Sequence, residues 1–185
     1  QVQGDVDVGL QHLAVRGLSA DQAATIHEQI EGAARHAAGQ AGNDLFLKPE
    51  EATQALFTQL ATGLETVADR RIGRPLGTFD KPRPDLAEGH ASGRALANIT
   101  LSLKGLRGLA ASLSPDSART LAAFDHAIAL AEALDDPNLD GIADPQGWLK
   151  LEILQQAVRS TRDAAVAEVG PALGVELGFN AQDGD

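Results

Sequence analysis

The sequence predicts an all-α protein, an up-and-down bundle of four to five long helices. Three observations lead there. Apolar residues make up 43% of the 185, mostly Ala, Leu and Val, with five Phe, one Trp and no Tyr; this set suits closely packed helices better than a β-sandwich. Apolar positions recur at three- and four-residue steps along most of the chain. Strand-like alternation is confined to Val6, Val8 and Leu10.

In residues 1–18, that alternation competes with Leu10 and Leu13, which fit a helix, and the helical remainder tips the reading to helix. Ser19 is the N-cap of a helix whose stripe is Ala23, Ile26, Ile30, Ala33 and Ala37 and which ends near Gly42. Pro49 opens the next helix, with Glu50 and Glu51 at the positive end of its dipole. Leu56, Leu60, Leu64 and Val67 form its stripe, and Gly73 is expected to stop it. The stretch 71–84, RIGRPLGTFDKPRP, holds two Gly and three Pro in 14 residues. It predicts a long connection that is not regular helix, and ordered connections of this length tend to be functional.

From about Asp85 a third long helix is expected to run to Ser112. Leu96, Ile99, Leu103, Leu106 and Leu113 keep a near-heptad spacing. Gly93, Gly105 and Gly108 lie on it, and each costs about 1 kcal/mol of helix propensity, which predicts that another helix or a ligand comes close there. Ser114 as cap and Pro115 at the first helical position start the next helix, with Leu121, Phe124, Ile128 and Leu134 inward. The segment 135–147, DDPNLDGIADPQG, is a loop. The last helix runs from about Trp148 to Val169 with Leu154, Val158, Ala165 and Val169 on one face, and Gly170-Pro171 is expected to weaken or kink it.

Fifteen basic residues against 26 acidic ones give a net charge of −11. That surface repels nucleic acid and anionic lipid, and stacking aromatics are scarce, so no nucleic-acid partner is expected. Acidity suits cations, basic partners or plain solubility. The absence of Cys excludes disulfides, thiolate metal sites and cysteine nucleophiles. No signal-peptide pattern is found, and no apolar run of about 18 residues, so no membrane span is expected. The chain opens on QVQGDVDVG without Met, compatible with a processed or clipped protein.

Three constellations could carry chemistry. In DPNLDGIAD, Asp136, Asn138 and Asp140 occupy positions one, three and five of a calcium-like loop, Gly141 the sixth and Asp144 the ninth. The twelfth, a bidentate Glu in such loops, is Gly147, although Glu152 is near in sequence. The alternative is a helix–helix loop rich in turn formers. In HEQIE, His27 and Glu31 share a helix face, but the second His of a zincin is missing. In DLAEGHASGRA, Glu88, His90 and Ser92 stand at the expected start of the third helix, Glu88 and Ser92 on one face, where they could bind a cation, relay a proton or simply cap. No elbow motif or Ser/His/Asp order supports a hydrolase triad. Asn98-Ile99-Thr100 is formally a glycosylation sequon in mid-helix.

Three stretches together resemble the imelysin family, also called the iron-regulated protein A family: RRIGRPLG (70–77), EGHASGRALANITLSLKGL (88–106) and the closing LGVELGFNAQDGD (173–185). The resemblance implies an exported, periplasmic or envelope protein of bacteria, built as two linked helical bundles. Residues 1–185 match the second bundle, with the N-terminal half as its partner. It further implies a role in iron uptake, with a cation, an iron species or an iron-carrying envelope partner bound in the cleft between the halves. Arg71, Pro75, Glu88 and Ser92 are the best matches for that cleft; Asp80 and His90 are added from their place beside them. Some members are classed as metallopeptidases for a Gly-x-His-x-x-Glu motif in the first half. Here His90 follows Gly89 directly and Gly93 stands where Glu would fall, so such activity would need the missing half. A non-catalytic helical interaction module is the third reading. The closing nine residues are expected to fold back, Leu177 and Phe179 packing and Asn180, Asp183 and Asp185 capping helix starts or holding Arg.

Overall fold

Every third or fourth residue of four long segments is buried, and these stripes meet in one core. The computed structural model describes residues 49–176. The helix expected after Ser19, His27 and Glu31 within it, and the closing residues Leu177, Phe179, Asn180, Asp183 and Asp185 lie outside them. Packing divides the chain into two units, Gln1–Thr53 and Gln54–Asp185, and the bundle belongs to the second.

Helix α1 (Pro49–Glu65) runs without a break into a π-helical stretch (Thr66–Gly73) and a last helical turn (Arg74–Leu76). Phe57, Leu60, Leu64, Val67 and Ile72 are its buried face, while Leu56 is 42% exposed; the stripe is shifted by one residue at its start. Gly73 does not stop this rod, and residues 71–76 are helical rather than part of a loop. The wide π turn accommodates Pro75, which has no N–H to give and crowds the turn before it. It also frees the Ala68 carbonyl, which accepts from the Gln155 side chain at 2.8 Å. Gly77 ends the rod: its φ is +58°, and a Cβ there would stand 2.5 Å from the Lys81 carbonyl.

The segment 77–94 is short 3-10 turns, Pro84–Leu86 and His90–Ser92, and α2 spans Ala95–Leu113. The expected helical start near Asp85 is therefore wrong. Gly89 and Gly93 both take positive φ, +81° and +66°, and no helix passes through such residues. Ile99 and Leu103 are fully buried and Leu96, Leu106 and Leu113 partly so, as the heptad spacing predicts. Close approach at Gly105 and Gly108 is not found: a Cβ on either meets nothing within 4 Å. Close approach occurs instead at Gly63, where an added Cβ would stand 2.6 Å from Leu106, and at Gly170, where it would stand 3.0 Å from Phe57.

Ser114 closes α2 through its N–H to Ala110 instead of opening the next helix, and α3 spans Ala118–Glu132. Its first N–H groups, from Arg119 and Thr120, are accepted by Glu168 of the last helix, at 3.3 and 2.7 Å. Thr120, Phe124, Ala127 and Ala131 are its buried face; Leu121, Ile128 and Leu134 flank it. Helix α4 (Pro145–Leu173) is capped by Asp144, which accepts from Gln146 at 2.8 Å. It continues through Gly170-Pro171 and ends at Gly174, φ +67°. All four expected inward residues, Leu154, Val158, Ala165 and Val169, are buried.

Neighbouring rods are antiparallel. The end of α1 meets the start of α4 where the Trp148 indole donates to the Leu76 carbonyl at 2.9 Å; the start of α1 meets the end of α4 at Phe57 and Gly170. Arg107 with Asp125 and Lys104 with Glu132 tie α2 to α3, and Glu168 ties α4 to α3. The result is the up-and-down all-α bundle that the composition predicts. It brings loops 77–94 and 134–144 to one end. No helix among the described residues is long and apolar enough to cross a membrane.

Candidate functional site

Arg71 projects from the π-helical stretch and its guanidinium is held from three sides. Nε donates to Glu88 Oε2 at 3.0 Å and Nη2 to Oε1 at 3.4 Å, a two-point grip. Nη1 donates to the Asn98 carbonyl at 2.9 Å and to Ser102 Oγ. Asn98 and Ser102 are one turn apart on α2, and Ser102 Oγ itself donates to the Asn98 carbonyl at 2.7 Å. The Asn98 amide reaches the Glu88 carbonyl at 3.5 Å. Arg71 is 24% exposed and Glu88 58%, so the carboxylate faces outward from a guanidinium that is set into the fold.

Beside this grip lies an open groove of about 400 Å³ between α1 with its π-helical extension and α2. Gly63, Val67 and Leu106 give it apolar surface, Gly105 leaves it unobstructed, and Gln59, Thr62, Thr66, Arg71 and Ser102 line it with polar groups. The groove therefore suits an anionic or hydrogen-bonding ligand.

A second contact joins the two loops of this end. His90 Nε2 lies 2.8 Å from Asp140 Oδ1. That hydrogen bond, with one from the Asn138 amide at 3.2 Å, holds the Asp140 carboxyl below the usual carboxylate range. The Leu96 N–H donates to the Pro137 carbonyl at 3.1 Å, fixing the 134–144 loop on the start of α2.

The expected site residues thus part company. Arg71 and Glu88 are brought together, and His90 meets Asp140 from the calcium-like loop. Glu88 and Ser92 do not share a helix face, because residues 88–93 are turns; Ser92 Oγ donates to the Gly89 carbonyl at 3.0 Å. Pro75 is buried, its carbonyl accepting from the Arg83 N–H at 2.8 Å, and Asp80 sits exposed in the turn bridged by Thr78 and Lys81. In the calcium-like loop, Asp136 accepts the N–H groups of Asp140 and Gly141 at 3.1 and 2.8 Å, and Asp144 caps α4. The twelfth position is Gly because a Cβ on Gly147 would stand 2.0 Å from the Gly141 carbonyl. The carboxylates of Asp136, Asp140 and Asp144 serve the local backbone, Asn138 and His90, and among the buried side-chain atoms of the described residues Asn138 Oδ1 lacks a hydrogen bond. Six or more oxygens on one ion is a different geometry. Among the described residues no three His, Asp or Glu side chains gather as a metal site.

Sequence reasoning missed Asn98, Ser102 and Trp148 as parts of this end. Asn98 and Ser102 stand four apart, one helical turn, which is the signal that marks them as a shared polar face. Trp148 reads only as the start of a helix.

Comparison with known proteins supplies a family model, imelysin, matching residues 4–165. No curated protein and no solved structure matches the chain.

Proposed function

We propose, from the premise that the chain belongs to the imelysin family, that it takes part in iron uptake at the cell envelope by binding an iron species or an iron-carrying partner. The site is the end of the bundle where Arg71, held by Glu88, lines the groove. The observation that carries this reading is the fixed guanidinium in the lining of that groove. A bare ferric or ferrous ion is repelled by a guanidinium and finds no three ligands among the described residues. Iron already complexed by carboxylates presents the anionic oxygens that a guanidinium recognises. Iron is cargo here, and the donor set supports its arrival in a complex. A metallopeptidase would need its ligands from outside the described residues.

Isothermal calorimetry with ferric citrate, and separately with ferrous sulfate, tests the reading. Ferric citrate is expected to bind and ferrous sulfate to give no saturable heat. Arg71→Ala should weaken ferric citrate by about tenfold or more, the scale for losing a charged hydrogen-bond donor. Absence of heat with ferric citrate, or equal affinity in the variant, overturns the proposal.

A further inference from the structure

The chain is acidic overall, yet between residues 70 and 94 the balance inverts, with six basic side chains against three acidic ones. Arg71 is engaged with Glu88. The other five, Arg70, Arg74, Lys81, Arg83 and Arg94, are all exposed and make no ion pair among the described residues. Elsewhere in the described bundle the pattern is the opposite: Lys104, Arg107, Arg159 and Arg162 each hold a carboxylate, and only Arg119 and Lys150 do not. Among the described residues, five of the seven cations without a carboxylate partner thus lie in this one segment.

That place is rigid. The Arg83 N–H holds the Pro75 carbonyl at 2.8 Å, the Lys81 N–H holds the Thr78 carbonyl at 2.9 Å, and Trp148 holds Leu76. At the tip Phe79 is 56% exposed, its ring edge-on to Trp148 with centroids 5.4 Å apart. A large aromatic kept in one position among unpaired cations is the make-up of an interface centre, where Arg and aromatics are enriched and ordering on binding costs little.

We propose that the 70–94 turn docks an acidic segment of a partner protein, with carboxylates on Arg74, Lys81 and Arg83 and an apolar side chain against Phe79. A duplex or an anionic bilayer extends well past this turn and meets the acidic remainder of the chain. A short peptide on Arg74, Lys81 and Arg83 meets less of it, since charges farther than about 8 Å are screened at physiological salt.

The test is fluorescence anisotropy with a labelled Asp/Glu peptide carrying one central Leu, on the full chain without iron, so its outcome is separate from that of iron binding. Saturable binding is expected, weakening several-fold from about 50 to about 200 mM salt. Lys81→Gln with Arg83→Gln should reduce affinity about tenfold, while Arg119→Gln with Lys150→Gln, the same change in net charge, should alter it less than about twofold. Phe79→Ala should reduce it about fivefold. All five side chains are exposed, and circular dichroism checks that each variant is folded. No saturable binding, equal loss in the two double variants, or tighter binding of a DNA duplex or of phosphatidylserine vesicles overturns the proposal.

Discussion

Arg71 commits four of its five guanidinium N–H groups inside one molecule, and the shape of that group decides what can replace it. Two parallel bonds reach Glu88 while a third nitrogen reaches the Asn98 carbonyl and Ser102. A lysine ammonium cannot span both directions from one stem. The pair with Glu88 contributes little by itself, because that carboxylate is 58% exposed and surface ion pairs contribute about 0–1 kcal/mol. The part-buried bond to Asn98 adds about 1 kcal/mol. Arg71→Lys should therefore lower stability by about 1 kcal/mol in urea unfolding, through a lower midpoint at unchanged slope. An unchanged midpoint would mean that the grip exists for a ligand and not for the fold. Arg71 was legible only through family resemblance and Glu88 also as part of a polar cluster before α2; their pairing was not legible, because they are seventeen residues apart and no helical or strand period links them.

The rods were legible, and their ends were not. Apolar periodicity placed Leu60, Leu64, Ile99, Leu103, Phe124, Leu154 and Val158 in the core, and all seven are buried. The ends depended on backbone chemistry that periodicity does not report. Gly73 and Pro75 read as a stop, yet the rod passes through them as a π turn whose freed carbonyl finds Gln155. Gly89 and Gly93 read as positions on a helix, yet their positive φ delays α2 to Ala95. Glycine in one sequence pattern can thus mark a turn, a close approach or nothing. Gly108 is the last kind, with no atom within 4 Å of an added Cβ; Gly108→Ala should stabilise α2 by about 0.5–1 kcal/mol. Gly77→Ala should do the reverse, by about 1–3 kcal/mol, because φ is +58° and the Lys81 carbonyl blocks the Cβ. Thermal unfolding of the two variants side by side checks both signs, and a drop for Gly108→Ala would restore the close approach expected from sequence.

Across the whole molecule, two electrostatic effects compete as pH falls. A net charge of −11 with pI near 4.8 means that the folded bundle repels itself at neutral pH, and acidification toward the pI relieves that strain. Against it, carboxylates that tie rods together must be protonated. Asp125, held by the Arg107 hydrogen bond between α2 and α3, has its carboxyl below the usual range. So does Glu168, held by the Thr120 hydroxyl and N–H between α4 and α3, and Asp140 in the loop contact. A carboxyl whose folded pKa is lowered binds fewer protons in the folded state, so its contribution is complete above the unfolded value, near 3.8 for Asp and 4.5 for Glu, and is lost as pH falls through the folded one. The melting temperature should accordingly hold or rise slightly from pH 7 to about pH 5, then fall below about pH 4.5. At about 1 M salt the first limb should flatten, since distant repulsion is screened over about 3 Å, while the acid limb persists because its partners are in hydrogen-bond contact. Glu168→Gln should lower the melting temperature at pH 7 and make the acid limb shallower, since the carboxylate that closes the start of α3 is already gone. A melting temperature that climbs steadily to pH 3, or an acid limb that Glu168→Gln leaves untouched, would mean that the contacts between rods are apolar alone and that the carboxylates at the helix ends are surface charge.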